Sequence, residues 1–309
     1  NKKSGWQGCN LTEINGGKCN TEEDFYKACR AASILGTLQA GYTDFKFLSD
    51  TSKKIFDREA LLGVSITGWM NNPDILFDEK ILQKGAEIVK EVNKEMAAII
   101  GINPAARTTC VKPSGNASVL LQTASGIHAE HSNMYIRNVQ MNKESEITQA
   151  IMKTNPYMVE DSVWSAGGTD VVVSFPILPK KGSMYKDDLL GVKHLELVKK
   201  AQKHWVEAGT NEDLCADKGV RHNVSNTIIV DDWDEVEKYV FENRHSFAGI
   251  SFLAMSGDKD YNQAPNTAVI TAKDMVKKYG NAAVFASGMV VDALKCFNHL
   301  WDACSTAKG

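Results

Sequence analysis

The sequence predicts an α/β fold of the parallel kind. Two observations carry this: stretches with an apolar stripe at helical spacing alternate with short runs rich in Val and Ile, and no internal repeat or low-complexity tract breaks the alternation. No Pro/Gly/Ser linker interrupts the chain, so one domain over residues 1–309 is the economical organisation. A hydrophobic content of 43% is enough for a sizeable core.

Thr21 and Asp24 form a capping box ahead of a helix in which Phe25, Cys29, Ala32, Leu35 and Leu38 share one face, ending near Gly41. A second helix, Asp78 to Ile100, carries Leu82, Ala86, Val89, Val92, Met96 and Ile99 on one stripe and stops at Gly101, with Pro104 beyond. Ala106 to Lys112 reads as a strand, Pro113 to Asn116 as a tight turn, and Ala117 to Ala124 as a helix. Asp170 to Phe175 is a Val-rich strand. Asp187 to Ala208 is a helix carrying Leu190, Leu197, Ala201 and Trp205, closed by Gly209. Asn223 to Val230 is a strand, Asp232 caps a helix running through Asn243, and Phe247 to Met255 returns as a strand. The tail, Ala272 to Ala307, reads as mostly helical.

Charge balance excludes some partners. With 35 basic and 38 acidic side chains the formal net charge is -3, which leaves no electrostatic footprint for nucleic acid. No apolar run reaches the roughly 20 residues that span a bilayer, and the first residues lack the apolar core of a signal peptide, so no membrane partner and a cytoplasmic location are expected. The cysteines at 9, 19, 29, 110, 215, 296 and 304 are odd in number and include no C-x-x-C pair, which argues against a disulfide scaffold or a structural zinc site. His128, Glu130 and His131 lie too close together in sequence to converge easily on one ion, and no metal site is placed on them. The sequons at Asn10, Asn116 and Asn223 are read as chance.

Pro113-Ser114-Gly115-Asn116-Ala117-Ser118 stands where a strand hands over to a helix. Free backbone N–H groups there can meet an anion, and Gly115 permits close approach. An ordinary N-cap by Ser114 or Asn116 accounts for the same residues.

The longer segment Arg107-Thr108-Thr109-Cys110-Val111-Lys112-Pro113-Ser114-Gly115 resembles the phosphate-binding segment of ribonucleotide reductases. Other matches follow the family's order: Cys9-Asn10-Leu11-Thr12-Glu13-Ile14, Leu35 to Phe45, Leu62 to Gly68, Ala124-Ser125-Gly126-Ile127-His128, Ser174-Phe175-Pro176, Asn223 to Thr227 and Gln263-Ala264-Pro265. Together they cover nearly the whole chain, and they resemble the adenosylcobalamin-dependent (class II) enzymes.

The resemblance implies that the chain is the second half of a ten-stranded α/β barrel plus a C-terminal helical region. It implies ribonucleotide reduction by thiyl-radical chemistry, with adenosylcobalamin as cofactor in the assembled enzyme. Cys9 would be one of two cysteines that reduce the substrate radical while forming a disulfide, and Pro113, Ser114, Gly115, Asn116, Ala117 and Ser118 would bind the substrate phosphates. The family's radical cysteine lies in an Asn-Pro-Cys-x-Glu loop, and that pattern occurs nowhere here. A separate N-terminal half is therefore the expected partner, beside the ribonucleotide and a thioredoxin-like reductant. Cys9-Asn10-Leu11-Thr12-Glu13 imitates the loop, but its Cys and Glu stand four apart instead of two, so Glu13 is read as structural or on the surface.

Cys19, Cys29, Cys110 and Cys215 are assigned to packing. Cys296 and Cys304 could mimic tail cysteines that relay electrons, but Phe297, Leu300 and Trp301 around them favour an apolar helix. The strand Gly249 to Met255 holds no tyrosine pair of the sort that conducts a radical from a separate subunit, which favours adenosylcobalamin over a metal-radical partner. A non-catalytic assembly subunit and a metal-radical reductase of the same fold are the alternatives.

Overall fold

The computed structural model describes residues 4–255, 263–269 and 297–302. In chain order the elements are β1 (Asn10–Asn15), α1 (Glu22–Ala40), α2 (Asp50–Glu59), β2 (Leu62–Thr67), the single turn α3 (Pro73–Leu76), α4 (Glu79–Ile100), α5 (Gly115–Leu121), β3 (Tyr135–Asn142), α6 (Glu146–Thr154), β4 (Val159–Asp161), β5 (Asp170–Ile177), α7 (Gly191–Ala201), β6 (Ile228–Val230), α8 (Trp233–Glu242), β7 (Phe252–Ala254) and β8 (Asn266–Ala268). They fall into two compact units, residues 1–130 with 180–255, and residues 131–179 with 256–309. No linker composition marks this division in the sequence.

The first unit is built on parallel chains. β1 pairs with β2 in parallel from Asn10↔Leu62 to Asn15↔Thr67. Beyond β2 the stretch 107–111 is held by parallel bridges, Val64↔Thr109 on one side and Val111↔Val224 on the other. β6 then pairs with β7 in parallel. The order across the unit is thus β1, β2, 107–111, the chain leading into β6, and β7, each step in sequence order with helices between. This is the connection expected of parallel strands. The strands expected over 106–112 and 223–230 are mostly extended chain with isolated bridges, and their regular ladders are short.

One face of these chains meets the helices. Leu62, Val64 and Ile66 of β2 are fully buried in a core shared with Phe25 and Cys29 of α1, Leu82, Ala86 and Val89 of α4, and Leu195, Val198 and Trp205 beyond. The ends of α1 and α4 are as the sequence predicts. Thr21 and Asp24 form the capping box, Asp78 accepts from the backbone N–H of Lys80 and Ile81, and Gly101 closes α4 in a left-handed conformation.

The faces need correction. Leu35, Leu38 and Ile99 are exposed, and α1 and α4 instead bury Ser33, Thr37, Asn93 and Ala97. A polar ladder explains this. Ser33 Oγ donates to the Val89 carbonyl (2.8 Å), Thr37 Oγ1 to the Ser33 carbonyl (2.7 Å), and Asn93 Nδ2 to Thr37 Oγ1 (2.9 Å), while Asn93 Oδ1 accepts from Ala105 N–H (2.8 Å). Small hydroxyl and amide groups bring the two helices close and satisfy one another.

The helix expected over 187–208 is α7 followed by a π-helical segment, Gln202–Glu207. The helix expected over 117–124 starts and ends earlier, as α5.

The second unit holds an antiparallel sheet in the order β4-β5-β3-β8, with β3 and β5 paired along their length. Val171 and Val173 of β5 pack with Met158 and Leu300 in its core. Gln263, of the Gln-Ala-Pro segment, is fixed here by Val163 N–H and by donating to the Asp161 carbonyl. Of the predicted tail helix, residues 297–302 are helical, and the rest, with Cys296 and Cys304, lies outside the described residues.

Candidate functional site

Strand alternation decides which side chains gather opposite the helices. On β1, Thr12 donates to the Ala32 carbonyl of α1 and Ile14 enters the core, so Leu11 and Glu13 face the other way. On β2 the same parity selects Gly63, Ser65 and Thr67. On the neighbouring chain Thr109 gives its hydroxyl to the Trp205 carbonyl on the helix side (2.6 Å), which leaves Cys110 and Lys112 on the opposite face.

That face is polar and convergent. A Cβ built on Gly63 would lie 2.8 Å from Cys9 Sγ and 3.0 Å from Cys110 Sγ, so the two sulfurs lean over the glycine from either side and lie within about 6 Å of each other. Both are free thiols. Ser65 Oγ donates to Glu13 Oε1 (3.0 Å) and accepts from Lys112 N–H (2.9 Å). Burial pushes the Cys9 thiol up to about 11, with the Lys112 charge opposing, and pushes the Cys110 thiol up further. Burial also raises the Glu13 carboxyl, against the hydroxyls of Ser65 and Ser114. β2 runs between the chains that bear the two cysteines. Their backbones are therefore about two strand spacings apart, roughly 9–10 Å, beyond the reach of a disulfide.

The predicted phosphate segment follows directly from Lys112. Ser114 occupies the N-cap position of α5 in a left-handed conformation (φ 55°, ψ 40°) but makes no side-chain cap bond. Its Oγ is buried near the Glu13 carboxyl without reaching full hydrogen-bond geometry. Pro113, Gly115 and Asn116 are exposed, and a Cβ on Gly115 would meet nothing within 4 Å. Ala117 is half-buried, and Ser118 is buried with its hydroxyl donating to the Gly115 carbonyl (3.0 Å). The first-turn N–H groups of the helix are thus left uncapped by any side chain of the turn.

The turn is anchored from below. Ser125 Oγ donates to the Pro113 carbonyl. Gly126 has φ 51°, and a Cβ there would stand 2.5 Å from the Lys112 carbonyl oxygen. Thr67 Oγ1 donates to the Ala124 carbonyl and accepts from Gly126 N–H, both at 2.9 Å. Asn71 Oδ1 accepts from Thr123 and from Ala124 N–H, while its Nδ2 donates to Glu130. His128 Nδ1 pairs with the Ser125 carbonyl and its Nε2 accepts from Thr227 N–H (3.0 Å). Glu130 and His128 are therefore engaged with different partners.

The sequence points to Cys9 and the turn as candidates and does not show Glu13, Ser65, Cys110 and Lys112 as residues of the same face. Alternation along two adjacent strands was the available signal. The sequence reads Glu13 as structural or on the surface; it is half-buried on the Cys9 face, where Ser65 donates to it.

No family model matches the chain. It is 27% identical over 205 residues to a Dictyostelium discoideum protein named "Probable adenosylcobalamin-dependent ribonucleoside-triphosphate reductase", covering 64% of this chain and 26% of that protein. Adenosylcobalamin-dependent ribonucleoside-triphosphate reductases of Euglena gracilis and Lactobacillus acidophilus are 24% and 23% identical, with 84% and 82% of this chain and 34% and 38% of theirs covered. The chain thus spans between about a quarter and two fifths of the length of these relatives. A crystal structure of a B-12-dependent (class II) ribonucleotide reductase matches 94% of the chain and 42% of its own, with a TM-score of 0.70 at 15% identity. The fold is that of this structure, and the resemblance read from the motifs is the one the relatives carry.

Proposed function

We propose that the chain is part of a ribonucleotide reductase that converts ribonucleotides to deoxyribonucleotides by thiyl-radical chemistry. The observation that carries this reading is the fold match over 94% of the chain, in a protein whose curated relatives share one activity. In this reading the parallel chains of the first unit are the second half of the ten-stranded barrel. Cys9 is one of two reducing cysteines, and Pro113 to Ser118 take the substrate phosphates. The convergence of Cys9, Glu13, Ser65 and Lys112 with the uncapped turn supports it: a ribonucleotide could reach from the thiol to the turn with its ribose and phosphates each met by polar groups.

The distance between backbones keeps Cys110 from being the disulfide partner. The second reducing cysteine then belongs to the N-terminal half, together with the Asn-Pro-Cys-x-Glu loop absent from these 309 residues. A thioredoxin-like dithiol regenerates the pair, and the setting is cytoplasmic deoxyribonucleotide synthesis. Adenosylcobalamin, when bound in the assembled enzyme, supplies the radical. The buried hydroxyl of this face, Ser114 Oγ, belongs to the phosphate turn of this reading.

The test is reconstitution with a segment carrying the radical loop. Cys9→Ser, nearly isosteric, is expected to abolish dithiol-supported turnover while substrate affinity stays near that of the unsubstituted protein. Normal turnover by this variant would remove Cys9 from the chemistry and favour an assembly role for the chain.

A further inference from the structure

We propose that Lys112 is a positioning residue for Cys9 chemistry, its ammonium stabilising the Cys9 thiolate. Lys112 follows Cys110 by two residues on an extended chain, so both project from the same face. That face is the one on which Cys9 Sγ and Cys110 Sγ converge over Gly63. The backbone of Lys112 is pinned by Ser65 Oγ (2.9 Å), the hydroxyl that also holds the Glu13 carboxylate. The side chain is half-buried, and among the described residues its ammonium has neither an ion pair nor a hydrogen bond. Its field acts on the thiols of Cys9 and Cys110, where it favours the thiolate, and on the buried imidazole of His222.

The two thiols are not equivalent. Cys110 is fully buried and burial raises it further than Cys9, so Cys9 ionises first. The groups around Cys9 are Lys112 and Cys110 from the chain beyond β2 and the apolar cluster of Leu61, Ala106 and Cys215 on which it packs, with Glu13 further along its own chain on the same face. Lys112 is the cation among them.

The role rests on the reading of Cys9 as a reducing cysteine. After turnover, Cys9 would be joined by a disulfide to a cysteine of the N-terminal half. One thiolate of an external dithiol attacks the partner's sulfur, the S–S bond breaks, and Cys9 leaves as a thiolate that then takes a proton from water. The second thiolate of the reductant displaces the partner's cysteine, and two electrons have passed from dithiol to disulfide. A better-stabilised leaving thiolate departs faster, so the Lys112 charge acts on this step.

The test needs no reductase activity. Cys9 of the full chain is alkylated with iodoacetamide across a pH series, and the labelled peptide is quantified by mass spectrometry, with buried Cys110 as the internal control. Lys112→Met is expected to slow Cys9 alkylation several-fold at a fixed pH near 8, where the ammonium is charged, and Lys112→Arg to restore the original profile. Superimposable profiles for the protein and Lys112→Met, both folded by circular dichroism, would overturn the proposal. So would a shift that Lys112→Arg fails to rescue, which marks a structural role. The Cys9→Ser turnover assay stands apart: an active Cys9→Ser enzyme sinks the redox reading, while the alkylation profiles still report whether Lys112 tunes the thiol.

Discussion

Arg107 opens the segment that resembles a phosphate-binding motif, and a guanidinium there invites assignment to phosphate. The side chain is instead 4% exposed and turned away, bonded to Glu59 Oε2 (3.0 Å) and to the carbonyls of Val220 and Asp217 (both 2.9 Å). Glu59 also receives Arg58. Removing one partner of a buried pair leaves the other charged and desolvated. Gly115 is the reverse case, open on its outer side with no packing to lose. Arg107→Ala is expected to cost about 3–5 kcal/mol in urea denaturation while leaving the substrate affinity of the folded protein unchanged. Gly115→Leu should keep the denaturation midpoint and weaken substrate binding. If Arg107→Ala loses affinity without losing stability, or Gly115→Leu binds normally, the division of labour along this segment is wrong.

At the scale of elements, capping and stop signals were legible because they are local. Thr21, Asp24, Asp78, Gly101 and Asp232 each act within one turn of the helix they bound, and each does so in the fold. The buried faces of α1 and α4 were less legible. A hydrophobicity pattern favours Leu35, Leu38 and Ile99, whereas the seam needs small and hydroxylated residues whose partners lie across it. The π segment after α7 was invisible for a related reason: the Trp205 carbonyl within it and the Gly209 carbonyl just beyond it are taken by residues distant in sequence. Thr109 donates to the Trp205 carbonyl and Thr108 to the Gly209 carbonyl (2.8 Å), while Trp205 Nε1 donates to the Cys110 carbonyl (3.0 Å). Gly209 lies against this junction, where a Cβ would come within 1.9 Å of Thr109 Oγ1. Gly209→Ala should therefore destabilise by about 1–3 kcal/mol, although alanine is the better helix former, and adding Thr109→Ala should recover part of the loss. Additive losses in the double variant would show that the contact is not the cause.

Across the whole molecule, the parallel half of the architecture could be read from the strand, helix, strand rhythm. The antiparallel sheet of the second unit could not, because β3 and β8 join residues far apart in sequence and no linker composition marks where that unit begins. The candidate site was legible where motif and chain order coincide, at Cys9 and Pro113 to Ser118. Its neighbours became visible only once strand pairing brought them together. The same assembly makes the first unit acid-sensitive. Burial lowers His128, and takes His194 and His222 down to about 4, with His194 Nε2 on the Ile127 carbonyl and His222 Nδ1 on the Thr109 carbonyl. The folded protein keeps these rings neutral, while an unfolded chain protonates them near the ordinary histidine value of about 6.5. Between about pH 6.5 and 4 the unfolded state therefore binds more protons, so their contribution is fully present above that window and is lost as pH falls through it. Glu13, raised by burial, acts in the opposite sense, since its contribution is greatest at low pH and declines as pH rises. Burial lowers His204 in the same sense, so four rings against one carboxyl set the net direction. The urea midpoint should fall steadily from pH 7 to pH 4.5, by on the order of 2 kcal/mol for each fully buried ring. His194→Gln, which can still donate to the Ile127 carbonyl but cannot take up a proton, should flatten the slope, and an unchanged slope would exclude His194 as a source of the acid sensitivity.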